Sequence, residues 1–455
     1  MRESPERIVI LGAAGRDFHD FNVVYRDDPA ARVVAFTATQ IPGISGRRYP
    51  PALAGPRYPP GIPIEDEHRL EEICRRHRVT RVVFAYSDVT HVHVMTLASR
   101  ALAAGADVVL LGPDRTMLKA AVPVVAVSAV RTGCGKSPIA RWLARRLHAA
   151  GRRVAVVRHP MPYQDLERQR VQRFATPADL DAAGCTIEER EEYEPHVAAG
   201  HVVFAGVDYA EILAQAARDA DVLVWDGGNN DFPFVRPDLH VVVADALRPD
   251  DAAGYHPGEA VLRMADVVVV NKVNAAPAGQ VARAVAAVER VNPRAPIVRG
   301  ALPVSLDDAG AVRGRRVLVV EDGPTITHGS MAYGAGFAAA TAAGAAAIVD
   351  PRAAAAPEIL RVYAQYRHIG SVLPAIGYSA GQVEALRDTI ERADAEVVVA
   401  ATPVDLERLV KVSKPIIRAR YEFQDLDTPG LGAWVDRWLQ QDVVPGDRRR
   451  RGEPT

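Results

Sequence analysis

A chain of 455 residues is too long for one hydrophobic core, and its length alone suggests about three domains. It is 48% hydrophobic and 24% charged with a formal net charge of −1, so neither nucleic acid nor an anionic membrane is an expected partner. No apolar run reaches the ~18 residues of a membrane span, no apolar signal segment precedes the first strand, and three scattered cysteines (Cys74, Cys134, Cys185) fit a reducing cytoplasm.

Residues 7–12 read as a short buried strand running into the turn Gly12-Ala-Ala-Gly15-Arg16-Asp17, part of a dinucleotide fingerprint but not all of it. Strand patterns at 32–37, 82–86 and 108–111 alternate with helical stretches at 67–77 and 92–104. That alternation predicts a Rossmann-like domain over residues 1–120, with ligands at the carboxyl ends of its strands. Residues 41–64 form a loop of about two dozen residues dense in Pro and Gly, a length that usually marks function. Its Arg47, Arg48 and Arg57, with Arg16, His19 and Arg26, suit an anionic ligand; the alternative is a solvated linker. His91 and His93 are expected to pack and not to bind metal.

Residues 124–137, VVAVSAVRTGCGKS, join an apolar strand to a glycine turn and a helix, the context a phosphate-binding P-loop requires. Gly133, Cys134 and Gly135 would wrap the phosphates with backbone N–H groups. Lys136 would neutralise the β/γ oxygens, and Ser137 would ligate Mg²⁺. Val130 stands where the common motif has glycine. Arg131 stands where the deviant P-loops of dimeric ATPases and GTPases carry a second lysine. This opens a P-loop NTPase domain with a mostly parallel sheet over 121–312. Arg158 and His159 end its next strand. Residues 166–175 read as a helix bearing Arg168, Arg170 and Arg173, and 185–194 as an acidic helix at an interface or in solvent. Residues 222–226, VLVWD, have the Walker B form, so Asp226 would hold Mg²⁺ opposite Ser137. Asn271-Lys272-Val273-Asn274 resembles a guanine-reading element, but Asn274 replaces the usual Asp; that puts GTP in doubt and makes ATP at least as good an expectation. The polar segment 246–266 could be a lid.

Residues 313–441 alternate again and predict a third, α/β domain. At one strand end stands Glu321-Asp-Gly-Pro-Thr-Ile-Thr-His328, fit either for acid–base or Mg²⁺ work or for a plain capped turn. Residues 442–455 read as a disordered basic tail.

The stretches GAAGRDFHDFNVVYRDD, TATQIPGISGRRYPP, FAYSDV, AVRTGCGKS, VRHPMPYQDLERQRVQRF, WDGGNNDFPF, NKVN, VEDGPTITHG and ATPVDL together resemble the cyclic 2,3-diphosphoglycerate synthetase family, from residue 7 to about 425. The resemblance implies an ATP- and Mg²⁺-dependent ligase that joins the two phosphates of 2,3-diphosphoglycerate into a ring, releasing ADP and phosphate. Lys136, Arg131 and Asp226 would then be catalytic, with Asn271 and Lys272 at the nucleotide. Arg16, His19, Arg47, Arg48, Arg158, His159 and Arg173 would grip the phosphorylated acid. If Arg131 acts as the second lysine of deviant P-loops does, it reaches a partner's nucleotide and a homodimer follows. The alternatives are a P-loop switch or chaperone, or a kinase or ligase acting on another phosphorylated acid.

Overall fold

The computed structural model describes residues 5–39, 44–159, 161, 164–327, 329, 331–377 and 379–441; Pro160, Pro162, Tyr163, His328 and the tail 442–455 lie outside them. At the centre is a nine-stranded sheet in the order Gln172–Phe174, Val202–Ala205, Val154–Arg158, Val222–Asp226, Val124–Ala129, Leu239–Asp245, Val267–Asn271, Ile297–Ala301, Gln424–Asp425. Only the two edge pairings are antiparallel. Strands covered on both faces have no side to show to water and so read as unbroken apolar runs. Val267, Val268, Val269 and Val270 are all inaccessible, as that rule requires. Arg158, Asp226 and Asn271 close their strands at the same carboxyl end, which is where an open α/β sheet binds its ligands.

The helix Lys136–Ala149 leaves that edge and packs back on the sheet. Ile139, Ala140, Leu143, Ala144 and Leu147 fall on one face at helical spacing and are fully buried.

A six-stranded sheet precedes it, in the order Arg48–Tyr49, Ile62–Asp66, Ala31–Ala38, Glu6–Leu11, Arg81–Phe84, Asp107–Leu110, parallel except for the Arg48–Tyr49 edge. A third sheet runs Val304–Leu306, Ile416–Tyr421, Val397–Ala401, Arg316–Asp322, Ala347–Ile348, with Leu373–Ala375 also on Arg316–Asp322. The protein is thus α/β throughout, with mostly parallel sheets. Among the described residues no helix is long and apolar enough to cross a membrane.

Three stretches behave differently from their sequence pattern. Residues 166–175 form turns and the edge strand Gln172–Phe174 in place of the expected helix. Phe174 turns inward and stacks on Tyr193 at 5.0 Å, while Arg173 turns outward to Asp219; strand alternation outweighs the spacing of the arginines. The expected lid is a tie between sheets: Tyr255–His256 pairs antiparallel with Val89–Thr90 of the first region, and the helix Gly258–Arg263 follows. Finally, the chain returns to the centre. Gln424–Asp425 joins the nine-stranded sheet, and Leu431, Val435 and Trp438 of the helix Leu431–Leu439 enter its core.

Candidate functional site

The P-loop is held from below by its neighbours. Gly133 and Gly135 both sit at left-handed φ (82° and 96°), which only glycine adopts cheaply, and a Cβ on Gly135 would collide with the Asn271 amide. That amide donates to the Cys134 carbonyl at 2.9 Å. Lys272 Nζ donates to the Gly133 carbonyl at 2.6 Å and pairs with Asp245 at 2.8 Å. Asn274 Oδ1 accepts from the Leu302 N–H at 2.9 Å. In this arrangement Asn-Lys-x-Asn braces the phosphate loop.

Lys136 is buried at the helix start, and burial lowers its ammonium pKa. The Ser137 hydroxyl donates to Asp226 Oδ1 at 3.4 Å. The other oxygen, Asp226 Oδ2, takes the Arg158 guanidinium and His196 Nε2, the latter at 2.9 Å. Burial alone would raise the Asp226 carboxyl, but Arg158 and His196 outweigh it and hold it below the usual range. Ser137 and the Oδ1 side of Asp226 are hard oxygen donors at the phosphate end of the loop. They fit Mg²⁺, which commonly takes one or two protein oxygens and completes its shell with phosphate and water.

Arg131 does not project out of the chain. Its guanidinium is buried, donates to Asp88 of the first region at 2.8 Å and to Asp251 at 3.3 Å, and lies 3.5 Å over the Tyr255 ring. Arg16, His19 and His159 converge on a second seam. Arg16 pairs with Asp231, donates to the Phe232 carbonyl at 2.8 Å and faces Phe232 and Phe234 at 5.0 Å each. His19 stacks on Phe234 at 4.2 Å and donates to the Thr116 carbonyl at 2.7 Å; burial first, then Arg16, drives its pKa down to about 3. His159 stands 3.6 Å from Asp231. The Asp231-Phe232-Pro-Phe234 stretch is therefore the socket into which the first sheet docks.

The remaining arginines are spread. Arg47 donates to the Gln164 carbonyl, and Arg48 to the Pro60 and Gly61 carbonyls at 2.7 and 3.0 Å. Arg173 sits on the outer edge strand, with three strands between it and the P-loop strand, bound to Asp219 at 2.8 Å. Of the seven arginines and histidines expected at a phosphorylated acid, only Arg158 stands beside Lys136 and Ser137. It meets Glu192 as well as Asp226.

The sequence reading missed what lies on the other side. The helix Ile187–Ala198 opens with a capping box between Thr186 and Glu189. Glu192 and His196, one turn apart, face the nucleotide side. Glu188 and Glu191 face the third sheet, where Glu188 accepts from Gly377 N–H at 2.7 Å and Glu191 from Thr402 Oγ1 at 2.7 Å and Gly323 N–H at 3.4 Å. Glu188 is 1% and Glu191 5% exposed; Thr186 also hydrogen-bonds Glu188, and the Asp322 carboxyl hydrogen-bonds Glu191. Asp322 lies against Glu191, and within electrostatic reach of Lys136. Burial pushes Glu188 up to about 7 and Glu191 well above the usual carboxylate range, Asp322 adding to the latter. The turn carrying Asp322 covers the P-loop: Thr325 and Met331 come within 3.6 Å of a Cβ placed on Gly133, and Arg248 ties the Thr132 carbonyl (2.7 Å) to the Gly329 carbonyl (3.1 Å). Glu321, next in line, accepts three backbone N–H groups at 2.8–3.2 Å around the start of the helix Ala335–Ala342 and is an anchor. Two acids three apart followed by Glu192 and His196 four apart are a helical two-face pattern that the sequence did carry.

No known family profile matches the chain. Among solved structures, LpxK of Aquifex aeolicus in complex with ATP is 14% identical with a TM-score of 0.39, covering 71% of this chain and 90% of its own. The hydrogenase maturation factor HypB of Archaeoglobus fulgidus is 18% identical with a TM-score of 0.27, covering 40% and 82%. Neither is close enough to inform the site. Arginine synthetase ArcE of Thermococcus kodakarensis is 54% identical over 435 residues, 96% of this chain and 97% of its own length. That relative is a synthetase by name, and its name is not that of the ring-closing enzyme the motifs resemble. At this identity and coverage the chain belongs to the arginine synthetase ArcE family and is an enzyme of the synthetase kind.

Proposed function

We propose that this protein uses ATP to build the guanidinium group of arginine from a ureido acid, citrulline, and a nitrogen donor. Arginine differs from citrulline by one nitrogen in place of the ureido oxygen, and oxygen is a poor leaving group until it is phosphorylated. The γ-phosphoryl group passes to the ureido oxygen and ADP leaves. The nitrogen donor then attacks the central carbon, the C–O bond breaks, and the oxygen departs as phosphate. Backbone N–H groups of residues 133–137 and Lys136 hold the transferred group and meet the charge that develops on it. Ser137 and Asp226 would hold Mg²⁺, which would neutralise the phosphate oxygens. Arg158, fixed by Glu192 and Asp226, keeps the Asp226 carboxylate ionised and in place.

The observation that carries this reading is the acid cluster over the P-loop. Burial favours the neutral form of Glu188 and Glu191, and a guanidinium, which would draw their protons off, complements the cluster better than a bisphosphate does. The relative's name supports the same product. Closure of 2,3-diphosphoglycerate into its cyclic anhydride is the second reading, favoured by the long motif resemblance; it has to contend with Arg16, Arg47, Arg48 and Arg173 being bound to carboxylates or carbonyls.

Incubation with Mg-ATP, citrulline and ammonium should yield arginine and ADP in equal amounts, and Lys136→Ala should cut that by on the order of 10³-fold or more. Cyclic diphosphoglycerate seen by phosphorus NMR, with no arginine from citrulline, would reverse the order of the two readings. Faster turnover of GTP than of ATP with no acceptor present would point to a switch.

A further inference from the structure

The first sheet brings an acid to the P-loop. Asp88 follows the strand Arg81–Phe84, and its Oδ1 accepts from Arg131 Nε at 2.8 Å and from the Thr132 N–H at 3.4 Å. The side chain is 2% exposed, and Oδ2 finds no donor. Its negative charge is one of those that offset the effect of burial on Lys136. The backbone is left-handed here (φ 64°), and the Asp88 N–H is shared by the His256 carbonyl at 2.9 Å and Asn230 Oδ1 at 2.8 Å. Asparagine tolerates that conformation as well as aspartate does, so the turn itself does not call for a carboxylate.

Neither does Arg131. It has Asp251 at 3.3 Å and the Tyr255 ring at 3.5 Å, and it uses a single oxygen of Asp88. A buried carboxylate with an idle oxygen costs the fold unless donors reach it. Beside a loop that takes polyphosphate it also repels the nucleotide. What it suits is a second reactant that comes to the γ-phosphate carrying N–H groups.

We infer that Asp88 seats the ureido nitrogens of citrulline and meets the positive charge that appears on them when their oxygen is phosphorylated. This rests on the arginine-forming reading and adds the residue that holds the reacting end of the acceptor. The ureido oxygen and its two nitrogens lie in one plane around one carbon. A group that offers this oxygen to the phosphate therefore offers N–H on its other edges. As the O–P bond forms and the bond to ADP breaks, the nitrogens donate electrons to the carbon and the group becomes a cation. A carboxylate gains more from that cation than from the neutral ureido group, and such differential binding accelerates the step. Asp322 acts on Lys136 from the third sheet and Asp88 from the first, so both flanks of the loop present an acid to the reacting group.

Asp88→Asn tests this, because it keeps the left-handed turn and an oxygen for Arg131 and the Thr132 N–H, while NH₂ replaces the idle oxygen. By calorimetry with the full chain, arginine should bind the variant at least ~10-fold more weakly, and citrulline within about threefold of wild type. The kcat with citrulline should fall ~10-fold or more, while KM for ATP holds within about twofold. Equal losses for arginine and citrulline, or no loss, would overturn the inference. Asp251→Asn removes the other acid on Arg131 and should leave the ratio of arginine to citrulline affinity unchanged. A matching shift there would trace the effect to Arg131 and overturn the inference too. If the wild type makes no arginine from citrulline, the function reading fails. Asp88 is then judged by methylguanidinium alone: binding to wild type and not to Asp88→Asn keeps the seat, and equal binding to both or to neither overturns it.

Discussion

Two seams flank the P-loop, and they treat charge in opposite ways. Toward the first sheet, each buried arginine meets a carboxylate, Arg16 with Asp231 and Arg131 with Asp88 and Asp251, although Asp20 Oδ1 and Asp88 Oδ2 find no donor there. Toward the third sheet, carboxylates meet one another: Asp322 hydrogen-bonds Glu191, and Glu188 stands on the same helix face with no arginine against it among the described residues. A satisfied buried pair holds its residues in place and has no capacity left for a ligand. An unsatisfied buried acid is a cost to the fold that persists where something binds. The first seam is thus neutralised by arginines, and the second holds its acids without one.

That contrast can be broken at either seam. Arg16→Ala strands Asp231 and Asp20 in the interior and should cost about 3–5 kcal/mol, read as a lower thermal midpoint, with substrate KM values unchanged. An unchanged midpoint with a tenfold higher KM for an acceptor would make Arg16 a ligand-binding residue and undo the comparison. Glu188→Gln should do the opposite to stability. A carboxyl raised from 4.5 to about 7 contributes fully below pH 4.5 and loses that contribution as pH climbs through about 7. Since Gln does not ionise, the variant should gain on wild type across that window, by on the order of 1–2 kcal/mol at pH 8 and nothing at pH 4.5, in urea midpoints. Its turnover should fall as its stability rises. The smallest effect belongs to Arg173→Ala: an exposed pair with Asp219 is worth at most roughly 0.5 kcal/mol, and no kinetic constant should move. A clear rise in acceptor KM there would return Arg173 to the substrate site.

The strand–turn–helix geometry of residues 124–149 was legible because it is local: strand, glycines, Lys136 and Ser137 are consecutive, and Asp226 ends the neighbouring strand. The arginines were legible as charges and not as partners. Arg16 meets a carboxylate 215 positions away, so the sequence cannot say whether it is spent. The acid cluster hid for a related reason. Residues 187–198 hold so many acids that a solvated face is the economical reading, and only the third sheet, with Gly323 lying 132 positions from Glu191, turns that face inward. Residues 166–175 misled because arginine spacing resembled a helix while Phe174 was needed in the core.

The helix Ile187–Ala198 serves two sides at once, with Glu192 and His196 toward the P-loop and Glu188 and Glu191 toward the third sheet. Were a ligand to bind on each side of this helix, their affinities would become interdependent. If ATP, by fixing Arg158 and Asp226, tightens the hold on the second ligand by some factor, that ligand must tighten ATP by the same factor. Titrating either one at saturating and at zero concentrations of the other measures that single number from both ends.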